Sequence, residues 1–558
     1  MVAVDAKRSA ARSEVVAALG VSLVVAAGWF ALALSFEAVG IARNDDWSFL
    51  ENAFRFADAG VFAVGGWVQM MLIGQLILAS PVIAVFGQSV AALQALVTLL
   101  GALLLASSYL VLRNFLSSLW ALAATAVIAG SAVFGLLSAS FMTDIPAAAF
   151  QLLALAIGYR ALRAPRIQWP TLLIATAVGV FAFSIREYAV AALAAIWITT
   201  LRKSRANHTY RAFSAWTLAI AIVLGSMLLW RAGQVTFTDT AFGPNPAGLR
   251  FLAWWPLTAG WLLLPVLAAA NPISVVRRAW TDSRALTIVA LLGVGVALLH
   301  TRFGFLGNYL SLTGGYAEVL RGVPSPVIPE WWSIGMTVLA TYGSLVLAFI
   351  LVGAICRTWH DRTELVNRPP SSPSLALTFV LISGLIYAVV PTVANVALFD
   401  RYFIAVLPIS AGLILWWLTR EQLTWRKPGV PVIGGLVLVS LTSTVLVAAT
   451  SARDAARWQL SSEVAEKLGV ADGNIDGGFD YFTFNTNGGP RPEGVRWTWW
   501  TAQLGDRAVC ATVTYEDVGV SDIAAGPDPG AMPIAERVVS VPLARDQLLR
   551  VYPGPDPC

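Results

Sequence analysis

Directly after its first long apolar stretch the chain carries two adjacent carboxylates, Asp45 and Asp46, in the run Asn44-Asp45-Asp46-Trp47. At the edge of an apolar segment a carboxylate can take a proton from a hydroxyl, and a pair can hold a divalent cation. The same residues also have a structural use. Ser48 to Glu51 has the form of a capping box, and Asp46 alone would cap a helix with Trp47, Leu50, Phe54 and Val61 on its apolar face. One acid is enough for a cap. Two neighbouring carboxylates repel and push one pKa up, a cost met where a cation or a reacting group balances them.

Four more residues share this double character. Asp144, in Thr143-Asp144-Ile145-Pro146, opens an apolar run, where an acid serves as a helix cap and equally as a site residue. Arg186, in Ser184-Ile185-Arg186-Glu187-Tyr188, occupies a tight turn between two apolar runs; it either pairs locally or holds a phosphate. Arg401 and Tyr402, in Phe399-Asp400-Arg401-Tyr402, begin a late apolar run with the same two readings. The histidines at 208, 300 and 360 are scattered and the three cysteines show no metal-ligand spacing, so no zinc site is readable.

The elements that must bring these groups together are membrane helices. With 57% hydrophobic and 12% charged residues over 558 positions, the chain is too apolar to be soluble, and its last hundred or so residues are too polar to be embedded. Its net charge of +5 resides in short loops between apolar runs, which is a topology signal and excludes a nucleic-acid partner. Basic clusters at 7–12, 113, 160–166, 202–211, 277–284, 357–368 and 420–427 should all face the cytoplasm. Between them fit spans over 119–138, 145–162, 170–185, 187–201, 212–230, 251–270, 285–301, 333–356, 374–394 and 402–418, with 430–450 leaving outward. The first interval holds three apolar stretches, 15–36, 67–86 and 89–112, and parity allows only two to cross. The middle one carries Gln69, Gln75, Ser80 and Pro81, so it is assigned to the surface. About thirteen spans result, with the N-terminus cytoplasmic. This threading places Asp45, Asp46, Asp144, Arg186 and Arg401 on one external face.

The expected division is a transmembrane part over 1–450, its first external loop at 37–88, and a small mixed α/β extracytoplasmic domain over 451–558. In the latter, 453–468 has a helical stripe, 507–515 and 537–543 alternate as strands, and Asp476-Gly477-Gly478 signals a turn. Cys510 and Cys558 either form a disulfide or remain two free thiols. The loops at 234–248 and 303–330, with Asn245, Asn308, Tyr309, Tyr316, Glu318 and Arg321, shape a pocket or merely connect helices. Trp497-Thr498-Trp499-Trp500 stacks on sugar rings or anchors at the interface.

Taken in order, Asn44-Asp45-Asp46-Trp47, Thr143-Asp144-Ile145-Pro146, Asp400-Arg401-Tyr402 and Ile475-Asp476-Gly477-Gly478-Phe479 make the chain resemble the GT-C membrane glycosyltransferases, close to the bacterial branch of aminoarabinose and protein mannosyl transferases. The resemblance covers nearly the full length. It implies an all-α polytopic enzyme of the plasma membrane with external interfacial helices at 47–60 and 67–86 bordering a lipid groove. It further implies inverting transfer of a hexosyl or pentosyl group from a polyprenyl-phosphate donor. The acceptor would be a hydroxyl of an envelope glycolipid, polysaccharide or protein at the external face. Asp45 would then be the general base. Asp46 and Asp144 would orient the acceptor or hold a divalent cation, Mg or Mn. Arg186 and Arg401 would neutralise the leaving phosphate, with Tyr402 as a hydrogen-bond donor. The alternatives are a polytopic transporter or lipid-linked-sugar flippase, and an inactive scaffold. Transporters usually show repeated halves and mid-membrane ionisable groups, whereas no internal repeat is found here and the acids gather at one surface.

Overall fold

The structure, a computed structural model, describes residues 2–235, 248–301, 304–305, 307–360, 373–393, 398–486, 508–516, 532–554 and 558. Asn245 and the tryptophans at 497–500 lie outside the described residues. The chain begins with α1 (Val2–Ser35), α2 (Asp46–Ala59), α3 (Ile73–Phe86), α4 (Val90–Leu112), α5 (Ser118–Ala129), α6 (Ala132–Ser138) and α7 (Asp144–Arg163). It continues with α8 (Trp169–Ile185), α9 (Val190–Asn207), α10 (Tyr210–Ala232), α11 (Gly248–Leu262), α12 (Leu264–Leu267), α13 (Pro272–Asp282) and α14 (Arg284–Thr301). The last helices are α15 (Glu330–His360), α16 (Ser374–Val393), α17 (Val406–Arg420), α18 (Gly429–Leu468) and α19 (Phe479–Thr486).

Among the described residues, eight helices are long and apolar enough to cross a bilayer, or nine if the bent pair α5 and α6 is one span. This is a multi-pass membrane protein. Leu229 on α10 and Leu299 on α14 are 77% and 75% exposed, the state of side chains meant for lipid rather than water. The expected span at 119–138 is two helices at 68°, because Ser131 accepts a hydrogen bond from the Phe134 N–H and so starts a new helix as its N-cap. The expected span at 251–270 likewise breaks at Leu263, between α11 and α12. Where α11 crosses α15 the backbones nearly touch: a Cβ on Gly260 would lie 2.2 Å from the Ala340 carbonyl, so only glycine permits that approach. Helix α3 has 14 residues, roughly 21 Å at 1.5 Å per residue, too short for a hydrocarbon core of about 30 Å.

Helix α18 runs unbroken for 40 residues through the expected division at 450 and 451, so the membrane part and the C-terminal part share one rod. Four strands follow: β1 (Ile475–Asp476), β2 (Ala511–Tyr515), β3 (Ala535–Val539) and β4 (Gln547–Pro553). Their order is β1-β2-β4-β3, with β1 parallel to β2 and the other pairs antiparallel. Cys510 and Cys558 are disulfide-bonded, which resolves the alternative in favour of the bridge. The loop before α15 is stitched to this sheet: the Tyr515 N–H donates to the Arg321 carbonyl at 3.0 Å, and the Tyr515 hydroxyl to the Ala317 carbonyl at 2.9 Å.

Candidate active site

The turn that ends α1 and starts α2 presents the acid pair. Asn44 has φ +55°, a left-handed conformation that asparagine tolerates better than most side chains, and it turns the chain so that Asp45 takes the N-cap position of α2. The Asp45 carboxylate nevertheless caps nothing. Its Oδ2 accepts from Arg401 Nη1 at 3.0 Å, across 356 positions of sequence, and the side chain is 22% exposed. Capping therefore does not account for Asp45. Ser48 also behaves differently from a capping-box serine, donating its hydroxyl to the Asp45 carbonyl at 2.9 Å from inside the helix.

Asp46 points the other way. It is fully buried, Oδ1 accepting the Arg43 N–H at 2.5 Å and Oδ2 the Phe141 N–H at 3.2 Å. Burial pushes its carboxyl well above the usual range, against the pull of these two donors. Its place in the structure is an anchor that ties the turn to the segment just before α7, and it has no surface for an acceptor.

Asp144 is the first residue of α7, with Thr143 at the N-cap making no side-chain cap bond. Its Oδ2 accepts from Arg186 Nη1 at 2.9 Å and its Oδ1 from the Tyr188 hydroxyl at 3.3 Å; Arg186 Nη1 also reaches Thr143 Oγ1 at 2.7 Å. Arg186 itself follows α8 directly. Burial opposes its charge, but Asp144, Tyr188 and Tyr402 together outweigh that and hold the guanidinium above its ordinary range. Of the two readings of Arg186, a local pair within its own turn is not what forms: its carboxylate partner is Asp144, across from the α8–α9 turn on α7.

Aromatic rings join the two ion pairs. The Arg186 guanidinium carbon lies 4.9 Å from the Tyr402 ring centroid and 5.2 Å from that of Tyr188, while Arg401 lies 5.5 Å from Tyr402, 5.1 Å from Phe399 and 6.0 Å from Tyr309. The Tyr402 ring thus lies within reach of both cations, a favourable contact for each. Arg401 Nε is buried with no hydrogen-bond partner among the described residues, an open donor inside the cluster. Asp400 does not face the cluster: its carboxylate accepts the backbone N–H groups of Asn308, Tyr309 and Leu310, pinning the loop that carries Tyr309.

Five of the six expected residues, Asp45, Asp144, Arg186, Arg401 and Tyr402, therefore meet at one end of the helix bundle, and Asp46 lies behind them. Asp46 is buried on the Arg43 and Phe141 N–H groups and Asp144 is ion-paired with Arg186, and among the described residues no three His, Cys, Asp or Glu side chains come together in a metal-holding group. The residues present do not fit the expected cation.

Sequence reasoning missed a second set beneath the first. Asp454 on α18 receives Arg43 Nε at 3.1 Å, Arg453 Nη2 at 3.2 Å and the Tyr316 hydroxyl at 2.6 Å. Asp480 on α19 takes both terminal nitrogens of Arg457, at 2.5 and 2.8 Å, and the Asn44 N–H at 3.1 Å. Arg321 pairs with Asp476 at 2.7 Å. Arg453, Asp454 and Arg457 belong to the stretch 453–468, which in sequence shows only its apolar stripe; all three are fully buried.

No protein-family model and no curated relative matches the sequence. Solved structures similar to it include ArnT from Cupriavidus metallidurans in the apo state, at 14% identity over 98% of each chain with a TM-score of 0.40. ArnT bound to undecaprenyl phosphate is similar at 14% identity, over 96% of this chain and 98% of that one, with the same TM-score of 0.40. The archaeal oligosaccharyltransferase AglB from Archaeoglobus fulgidus, in complex with an inhibitory peptide and a dolichol-phosphate, is 13% identical over 90% of this chain and 70% of its own, with a TM-score of 0.35.

Proposed function

We propose that this chain is an integral-membrane inverting glycosyltransferase that moves a sugar from a polyprenyl-phosphate donor to a hydroxyl of an envelope acceptor at the external membrane face. The observation that carries the reading is the state of Asp45: a partly exposed carboxylate at a helix start that caps nothing and is held by the buried Arg401, next to the Asp144–Arg186 pair. Such a carboxylate is free on one side to receive a proton.

In this mechanism Asp45 removes the acceptor proton as the hydroxyl oxygen attacks the anomeric carbon. The carbon–phosphate-oxygen bond breaks on the opposite side, its electron pair leaves on the polyprenyl phosphate, and a single displacement inverts the configuration. Arg401 offers its unpartnered Nε to a phosphate oxygen, and Arg186 adds a second fixed positive charge. Asp144 orients Arg186, and the rings of Tyr188, Tyr309 and Tyr402 keep water away, so these charges act at low dielectric. Asp46 holds the turn, and no step is routed through a metal ion. The flippase reading is not favoured, because the charged groups of the site sit at helix ends and in turns rather than midway along spans.

The test is sugar transfer from a labelled polyprenyl-phosphate donor by the full chain in proteoliposomes. Asp45→Asn should lower turnover about 100- to 10,000-fold, the usual contribution of a general base. Turnover retained in that variant would refute the reading.

A further inference from the structure

We propose that the C-terminal section is part of the catalytic apparatus: Asp480, clamped by Arg457, positions the turn that carries Asp45. This rests on the reading of Asp45 as the base. The backbone of the turn 43–46 is fixed from the far end of the sequence. Asp480 Oδ2 accepts the Asn44 N–H at 3.1 Å, one residue before the base, and the same carboxylate is forked by Arg457. Arg457 Nη1 also donates to the Gly477 carbonyl at 2.6 Å, so the Ile475–Phe479 turn, the clamp and the base-bearing turn form one chain of hydrogen bonds. The Asn44 side chain reaches the Tyr309 hydroxyl at 3.3 Å, linking it to the aromatic set around Arg401. Packing agrees with this: the Phe479 ring meets Trp47 edge-on at 5.9 Å and Trp67 at 6.1 Å, seating α19 against the start of α2.

The energetics favour a positioning role. Arg43, Arg453, Arg457, Asp454 and Asp480 are all 0–1% exposed. Taking five charged groups out of water is expensive, and well-packed apolar side chains would hold the same elements together at lower cost. What ionic hydrogen bonds add is direction. A backbone N–H at Asn44 that must meet one particular oxygen leaves the adjacent Asp45 little freedom, and a reacting group displaced by about 1 Å can lose on the order of 100-fold in rate.

The experiment uses the full chain in nanodiscs with two readouts: steady-state transfer, and hydrogen exchange of peptides covering 36–50, with undecaprenyl phosphate binding measured alongside. Asp480→Ala should lower kcat about 10- to 100-fold. The Kd for undecaprenyl phosphate should stay within about twofold, since Arg186 and Arg401 are untouched. Exchange over 36–50 should rise. Asp480→Asn keeps an oxygen acceptor for the Asn44 N–H and should fall between wild type and Asp480→Ala. Glu463→Gln, which breaks only the exposed pair with Arg537, should match wild type in all three measurements. Unchanged exchange over 36–50 in Asp480→Ala overturns the proposal whatever the activity, as does a parallel loss of transfer and lipid-phosphate binding. A wild-type chain that transfers no sugar, with exchange still coupled to Asp480, would instead defeat the functional reading and leave the mechanical link standing.

Discussion

Arg401→Lys keeps the positive charge and removes the planar fork, which makes it the sharpest probe of the proposed phosphate site. In the structure Arg401 uses Nη1 on Asp45 at 3.0 Å and leaves Nε buried and, among the described residues, unpartnered. A lysine amine in that place can hold Asp45 or a phosphate oxygen, but it is a point charge without the second, fixed direction. It also forfeits the guanidinium's contact with the Tyr402 ring. The loss amounts to one charge-assisted hydrogen bond, about 1.5–3 kcal/mol. At 1.4 kcal/mol per decade this is an increase of about 10- to 150-fold in the Kd for undecaprenyl phosphate. The assay is equilibrium binding of the lipid phosphate to purified protein in nanodiscs, with transfer kinetics measured in parallel. Since charge near Asp45 is conserved, folding should be little affected. Binding within twofold of wild type would refute the assignment of Nε as a phosphate donor, and with it the orientation given to Arg401.

Two further outcomes follow from the same geometry. Burial raises the Asp46 carboxyl, so in the window above the ordinary value of about 3.9 the folded chain holds a proton there that the unfolded chain has lost. Asp46 therefore contributes a stability that is fully present below that window and declines as pH rises through it; Asp46→Asn should flatten this decline in thermal-unfolding scans from pH 4 to 7, and an unchanged slope would contradict it. Gly74 seats α3 on the turn that carries Arg186, a Cβ there lying 2.5 Å from Ile185 Cγ1 and 2.6 Å from Ser184 Oγ. Gly74→Val should cost about 1–3 kcal/mol by overpacking and lower transfer by moving Arg186; wild-type stability with wild-type turnover would show that the seat is loose.

Much of the site was legible because its residues break local rules. Asp45-Asp46 supplies one acid more than a cap requires, and Arg186 interrupts two apolar runs with a charge that a simple turn does not need. Span boundaries were legible where apolar length alone sets them, as in α4 and α7. They were not where a small polar residue restarts a helix: nothing in the hydropathy of 119–138 marks Ser131 as a cap that bends the path by 68°. The roles of the two adjacent aspartates were equally closed to sequence reading, since one residue of register sends Asp45 to Arg401 and Asp46 into the interior. The buried set around Asp454 was hidden for a different reason. Charged residues such as Arg453, Asp454 and Arg457 on a helix of a polar section ordinarily face water, and only tertiary partners separated by up to 411 positions, such as Arg43 and Asp454, make their surroundings an interior.

The two ion pairs of the site look alike in sequence but differ in what holds them, and this separates a structural lesion from a catalytic one. Asp144 is fully buried and takes Arg186 and the Tyr188 hydroxyl; Arg186 is 7% exposed and, among the described residues, has no other carboxylate on it. Asp144→Asn strands that guanidinium, a loss of about 3–5 kcal/mol for a broken buried pair. Asp45 is 22% exposed and, among the described residues, makes one ion pair, to Arg401, whose charge also feels Asp144 and rests on three rings. Asp45→Asn should therefore cost only about 1.5 kcal/mol, the low end for one charge-assisted hydrogen bond. In matched denaturation curves Asp144→Asn should be the less stable variant by roughly 1.5–3.5 kcal/mol, the gap between those two losses. Asp45→Asn, nearly intact, should be the one that cannot turn over. Equal destabilisation of the two would mean that the fold depends on the Asp45 carboxylate no less than on that of Asp144, and a carboxylate tied up in holding the fold is not available to accept a proton.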